Sequence, residues 1–400
     1  MRRMRILAVL TALVMIGVCF SIKLIIVRNE DKDRTIKVGF VYDGDESAPY
    51  TNNFIKAQHK VEEYDFDGKV TVVAKSNISE EKSDYAITEL INEGCDIIIT
   101  NSYGYQESAK RFAKNFPKVQ FCEATGDNAN DDTVSNYHTF MGEIYQGRYV
   151  SGIVAGMKLK ELIGDGVIEK EQAKIGYVAA FPYAEVISGY TAFILGVRSI
   201  VPTATMDVRY TDTWTSYTIE KACAEQFIED GCVIISQHSD TIGPAVACEE
   251  AAEKGKVVYH VGYNQSMIDV APTTTLVSSR IDWSNYILTA VKAVLNDEPI
   301  EKNMKANING NDAGAGFEQG WVQILDINSL IAADGTENAV KDAVKKFKKN
   351  QIMVFKGDYT GVDPVDPSDT IDLKKGYVEN ENASAPSFHY ILDGVVNIIE

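Results

Sequence analysis

The chain has 400 residues, room for two domains or one large one, and its 45% apolar and 24% charged side chains exclude a disordered, collagenous or coiled-coil protein. Its 39 basic residues face 57 acidic ones, a formal net charge of −18. Such an acidic balance lacks the basic footprint of a nucleic-acid binder, and six cysteines without a C-x-x-C pair exclude a disulfide scaffold and a zinc ribbon.

Arg2, Arg3 and Arg5 precede an apolar run over 6–22, which resumes over 24–27 after Lys23. Basic residues before an apolar core mark an export signal, and the arginines keep that end cytoplasmic. Residues 6–27 suffice, at about 1.5 Å per residue, to span a bilayer as an uncleaved anchor. Ile16-Gly17-Val18-Cys19 also resembles a bacterial lipoprotein cleavage site, with Cys19 the lipidated residue, although Val18 stands where a small residue is expected. Ordinary secretion is the third reading. Residues 1–35 are set apart as a membrane anchor or signal segment, which places the body on the extracytoplasmic face of the cell membrane.

The body repeats itself. Ile36-Lys37-Val38-Gly39-Phe40-Val41-Tyr42 reads like Ala173-Lys174-Ile175-Gly176-Tyr177-Val178-Ala179, 137 residues later. Glu93-Gly94-Cys95-Asp96-Ile97-Ile98-Ile99 matches Asp230-Gly231-Cys232-Val233-Ile234-Ile235-Ser236 at the same offset, and Lys118-Val119-Gln120-Phe121 matches Lys256-Val257-Val258-Tyr259 at 138. Each is a short β-branched or aromatic run, the mark of a buried parallel strand. Helix-like stretches over 83–93, 106–115 and 219–229 alternate with them, so right-handed βαβ units build the same doubly wound α/β lobe twice. Cys95 and Cys232 precede equivalent strands and read as small core residues.

A helix-like stretch over 140–162, with Gly147, Gly152 and Gly156, leads from one lobe to the other. Thr274–Ser278 reads as a strand and 283–295 as a helix, too late for either copy and so returning to the first lobe. Lobe one is expected over 36–140 plus about 272–305, and lobe two over 141–271 plus about 306–360. Residues 361–400 form a C-terminal extension whose Asp393-Gly394 turn predicts a hairpin of 388–392 with 395–399. Several crossings between two lobes make a hinge.

Ligands of open parallel sheets bind beyond the carboxyl ends of the strands. Those ends carry Tyr42, Tyr103, Phe181 and Trp214, with Tyr50 nearby, and the hydrogen-bonding side chains Asn101, Asp240 and Asn264. Aromatic faces with carboxylate and amide edges suit a flat heterocycle. Tyr42, Tyr50 and Phe181 are expected to stack on it, Trp214 to form a wall, Tyr103 to touch it from the first lobe, Asp240 to accept ring or ribose hydrogen bonds, and Asn101 and Asn264 to bracket its edge.

Several ordered blocks then carry a resemblance: Asn101-Ser102-Tyr103-Gly104-Tyr105, Gln146-Gly147-Arg148-Tyr149, Lys174-Ile175-Gly176-Tyr177-Val178-Ala179-Ala180-Phe181-Pro182, Gln237-His238-Ser239-Asp240 and Val261-Gly262-Tyr263-Asn264. Over roughly 36–360 the chain resembles the basic-membrane-protein (BMP), purine-nucleoside-receptor-like family of ABC-transporter substrate-binding proteins. The resemblance implies a periplasmic-binding-protein fold of type I, a purine nucleoside or base as ligand, ABC permease subunits as partners, no cofactor, no nucleic acid and a monomer. It departs in the loop over 43–53, where Asp45-Glu46 replaces the glycine-rich stretch of many relatives. A membrane-tethered sensor of the same fold is the alternative.

Enzyme readings are weaker. Asp43-Gly44-Asp45-Glu46-Ser47 resembles the D-x-D-x-[ST] motif of magnesium-dependent phosphatases, but no downstream lysine and acidic pair can be placed. No phosphate-cradling G-x-x-x-x-G-K-[ST] and no G-x-S-x-G elbow occur. His59, His138, His238, His260 and His389 are scattered without an H-x-x-x-H pair, so no metal site is expected. Asp363, Asp366, Asp369 and Asp372 lack the glycine and glutamate of a calcium loop and read as a solvated acidic loop. Lys341, Lys345, Lys346, Lys348 and Lys349 close a helix, where cations favour the dipole end.

Overall fold

The computed structural model describes residues 34–132 and 134–399, so the apolar segment over 6–27 and Cys19 lie outside it. Among the described residues no helix is long and apolar enough to cross a membrane.

Both copies fold alike. Strand β1 (Ile36–Val41) lies between β2 (Val70–Lys75) and β3 (Ile97–Thr100), with β4 (Gln120–Ala124) and β5 (Tyr137–Gly142) beyond, all parallel. In the second copy β6 (Lys174–Ala179) lies between β7 (Thr205–Tyr210) and β8 (Ile234–His238), followed by β9 (Tyr259–Tyr263) and β10 (Thr275–Ile281). Helices cover both faces of each sheet, so the central strands bury both sides: only Lys37 in β1 and Lys174 in β6 escape full burial.

The fifth strand corrects the expected boundaries. Thr275–Ile281 belongs to the second sheet, where it is the counterpart of Tyr137–Gly142, rather than to lobe one. After it the chain crosses: helix Ser284–Leu295 packs on helix Pro49–Glu63 of lobe one. The helix after β5 crosses the other way, since Ile144–Gly164 packs on Ala184–Arg198 of lobe two. That contact is close. A Cβ on Gly152 would meet the Phe193 carbonyl oxygen at 2.1 Å, and one on Gly196 the Tyr149 oxygen at 2.1 Å. Strands β11 (Asn307–Asn309) and β12 (Asp312–Ala315) extend the first sheet beyond β5, whereas residues 306–360 are expected in lobe two. Strand β13 (Val322–Ile324) then pairs antiparallel with β10 in lobe two.

The C-terminal turn forms, with Gly394 at φ 66°, but its flanks do not pair with each other. Beyond β14 (Thr360–Val362) and β15 (Thr370–Asp372), β16 (Ile391–Leu392) pairs with β14, while β17 (Val396–Ile398) joins β7 in parallel. The open edge of β7 offers unpaired backbone groups, and β17 satisfies them in place of a hairpin.

One apolar cluster runs from Phe40, Phe54 and Phe140 through Trp283 and Tyr286 to Tyr177 and Phe193, so the inner faces of both sheets share a core. Separate clusters cover the outer faces, around Ile98 and Phe121 in lobe one and Phe227 and Ile235 in lobe two. The five described cysteines are buried and unpaired; burial pushes the thiols of Cys95 and Cys232 up to about 11 and about 12, where they act as small apolar groups.

Candidate ligand-binding site

The carboxyl ends of the two sheets face each other across a small cavity. Lobe one lines it with Asp43 after β1, Tyr50 at the start of its helix, Asn101, Ser102 and Tyr103 after β3, and Thr125 after β4. Lobe two contributes Glu185 from the helix after β6, Trp214 after β7, His238 and Asp240 at the end of β8, and Tyr263 at the end of β9. The sequence repeat is visible in the wall itself, because Asn101 and His238 stand 137 residues apart, as do Tyr103 and Asp240.

Of the residues singled out from sequence, Tyr50, Asn101, Tyr103, Trp214 and Asp240 line this cavity. Tyr42 does not. It continues the face of Val38 and Phe40, and so it lies in the core against Phe40 and Phe54 with its hydroxyl donating to Gln58 Oε1 at 3.0 Å. Strand alternation, which gives neighbouring residues opposite faces, aims Tyr42 away and leaves the next residue, Asp43, at the cavity. Phe181 stands behind the wall, stacked on Tyr183 at 5.1 Å and edge-on to Trp214 at 5.3 Å. Asn264 is also one layer back: it donates Nδ2 to Asp240 Oδ1 at 3.2 Å and accepts from Asn53 of the other lobe at 3.4 Å.

The lobe-one wall is tied together by hydrogen bonds. Asn101 accepts from the Asp43 amide at 3.0 Å and donates to Asp43 Oδ1 at 2.9 Å, while Thr51 donates to the same oxygen at 2.8 Å. The Tyr50 hydroxyl donates to the Asn101 carbonyl at 2.6 Å. Asp45 is no partner for Asp43: it is half-buried and accepts from Ser47 at 2.6 Å and Asn77 at 3.1 Å, so the two do not frame a phosphatase centre. Thr125 holds φ 66°, a strained conformation for a β-branched residue and one concentrated at functional sites.

Three carboxyl groups, Asp43, Glu185 and Asp240, share this small space. Burial raises the Asp43 carboxyl, against the opposing hydrogen bonds from Thr51 and Asn101. Burial raises Asp240 well above the usual carboxylate range, and Asp43, Glu220 and Glu185 add to it while Arg148 opposes. Arg148 is the buried counterweight: it lies 3.5 Å from the centre of the Tyr263 ring and donates Nη1 to the Gln237 carbonyl at 2.9 Å. His238 is pushed down to about 4 by burial, then by Arg148, against the pull of Glu185, and is therefore neutral at physiological pH. Two contacts cross between the lobes: Asn53 donates to Asn264, and the Tyr103 ring lies 6.0 Å from that of Tyr183. Acceptors and aromatic faces from both lobes thus line one space.

The family model for PnrA-like ABC transporter substrate-binding proteins, Bmp, matches residues 35–356. A purine-binding protein of Brucella abortus is 27% identical over 327 residues, 81% of this chain and 84% of that protein. A Haloferax volcanii protein provisionally named an ABC transporter glucose-binding protein is 34% identical over 191 residues, 48% of this chain and 44% of that protein. Among solved structures, an ABC transporter solute-binding protein from Aeropyrum pernix K1 has a TM-score of 0.61 at 19% identity, covering 79% of this chain and 87% of that one. The fold is that of the type I periplasmic binding proteins. Proteins of this kind are not enzymes; they hold small molecules outside the cytoplasm and work with permease subunits. With most of its length matched by one family model, the chain belongs to the Bmp family of PnrA-like ABC transporter substrate-binding proteins.

Proposed function

We propose that this protein captures a purine nucleoside or purine base by closing its two lobes, and presents the closed form to an ABC permease as a monomer. The observation that carries the reading is the cavity wall, in which Tyr50 and Tyr103 of one lobe face Trp214 and Tyr263 of the other, with Asp43, Glu185 and Asp240 between them. Aromatic faces stack on a flat heterocycle, and buried carboxylates accept from its N–H edge or from ribose hydroxyls. Asn101 orients Asp43, Asn264 orients Asp240, and Phe181 backs Trp214. The purine-binding relative in Brucella abortus supports this choice of ligand. The N-terminal segment holds the protein to the membrane, as an anchor or through a lipid on Cys19.

Thermal-shift screening of nucleosides, purine bases, riboflavin and sugars tests the reading. A ligand at a thousandfold excess over its Kd stabilises the native state by about 4 kcal/mol. The expected result is a shift with purines. A shift with sugars alone would overturn the reading, since sugars also stack on aromatic rings and the Haloferax volcanii relative is named for glucose.

A further inference from the structure

The chain beyond residue 356 lies outside the family match and carries a polar cluster of its own. The sequence reads 363–372 as a solvated acidic loop, but the three-stranded sheet brings it to a histidine. Asp363 leaves β14, Asp369 enters β15, and His389 stands just before β16, so three strand ends converge. One oxygen of each aspartate and one ring nitrogen of His389 all lie within 4.8 Å of one another. The Asp363 amide donates to the Asp369 carbonyl at 3.0 Å and closes the loop, which Pro364 and Pro367 stiffen.

The histidine supplies the independent observation. Its Nδ1 lies 2.8 Å from the Ser387 carbonyl oxygen. A carbonyl oxygen only accepts, so Nδ1 donates its proton there and Nε2 is the ring nitrogen turned to the cluster. Nε2 lies 3.2 Å from Asp363 Oδ2. The supporting contacts are those of a ligand shell. Asp363 Oδ1 accepts the amides of Val365 at 2.6 Å and Asp366 at 3.0 Å, which leaves Oδ2 for the shared site, and Tyr390 donates its hydroxyl to Asp369 Oδ2 at 3.2 Å. Metal-binding histidines donate their other ring nitrogen to a carbonyl in this way, and their carboxylate partners are likewise hydrogen-bonded.

We propose that Asp363, Asp369 and His389 bind a divalent transition-metal ion, zinc being suited to one imidazole and two carboxylates, and that the ion fastens the three strand ends of the C-terminal extension. With metal–ligand distances of about 2.0–2.2 Å, the spacing between His389 Nε2 and Asp363 Oδ2 subtends roughly 100° at the ion, close to a tetrahedral angle. Water completes the coordination.

The full chain, stripped with a chelator, is titrated with zinc by calorimetry and with cobalt by visible absorption. The expected result is one saturable site per chain with a Kd at or below the micromolar range, and at least tenfold weaker binding in His389→Ala and Asp363→Asn. Asp366→Asn is the control, because the Asp366 carboxylate turns to the Ser368 hydroxyl at 2.6 Å; it binds as the parent does. Circular dichroism checks each fold, and if His389→Ala disturbs the extension, Asp369→Asn on the exposed rim carries the same comparison. The proposal is overturned if the parent shows no saturable zinc binding up to millimolar concentration, or if the His389 and Asp369 variants bind as tightly as the parent. In that case a protonated His389 paired with Asp363 accounts for the contact, and the histidine titrates identically by NMR with and without zinc.

Discussion

Replacing Asp240 by asparagine removes a titratable group and keeps the shape. In the parent, Asp240 is 6% exposed, its amide donates to the Trp214 carbonyl at 2.9 Å, and its Oδ1 accepts from Asn264. A buried hydrogen-bonding group left without its partner costs about 1–3 kcal/mol, so the variant, whose amide Nδ2 cannot accept, should bind its purine more weakly, by about tenfold or more. The unliganded protein should respond in the opposite sense. The Asp240 carboxyl is raised well above its ordinary value by burial and by Asp43, Glu220 and Glu185. Above about pH 4 the unfolded carboxyl ionises while the folded one resists, so this group costs stability, fully so once pH exceeds the raised value. Asp240→Asn should therefore be more stable than the parent at pH 7–8, with the gain fading as pH falls toward 4. Calorimetry with the best purine hit measures the first effect, and urea unfolding between pH 4.5 and 8 the second. An unchanged Kd would remove Asp240 from the site, and a variant less stable than the parent at pH 8 would refute the electrostatic reasoning.

Gly152→Ala and Gly196→Ala should each destabilise by about 1–3 kcal/mol, because the added methyl meets backbone where the two helices touch and this outweighs alanine's helix propensity; a raised melting temperature would contradict the crossing. His238 and His260 are held neutral, at about 4 and about 3, mainly by burial. Unfolded histidines take up protons below about pH 6.5, so stability from both is lost as pH falls from there through those lower values, and His260→Gln should flatten the acid limb of urea unfolding. Of the three tryptophans, Trp283 and Trp321 are 1% exposed in the core and only Trp214 lines the cavity, so ligand should change the emission of the parent and leave Trp214→Phe unaltered. Equal responses in both would place the ligand elsewhere.

The duplicated lobe is legible in sequence because its strands are short, buried on both faces and set at one offset. The fifth strand is less so. Tyr137–Gly142 runs almost directly into Ile144–Gly164, a helix buried on nearly every face, and no polar stripe separates strand from helix. The offset still marks it, since Thr275 follows Tyr137 by 138 residues. The rule of strand carboxyl ends finds the loops of the cavity. Within a loop it gives no side-chain direction, which is why Tyr42 reads as a stacking surface and Asp43 is passed over. Glu185 lies inside the first turn of its helix, beyond the strand end, where an acidic residue also serves the helix dipole and gives no separate signal. The Asp393-Gly394 turn is legible, but its partners depend on an edge strand far away in sequence, β7, which no local pattern reveals.

A crystal structure of the full chain with the best purine hit tests the central claim most directly. The expected result is one heterocycle enclosed between the lobes, stacked on Tyr50 or Tyr103 and on Trp214 or Tyr263, with hydrogen bonds to Asp43 on one side and Asp240 on the other. A ligand that touches residues of one lobe alone, or that binds away from these carboxyl groups, would contradict it.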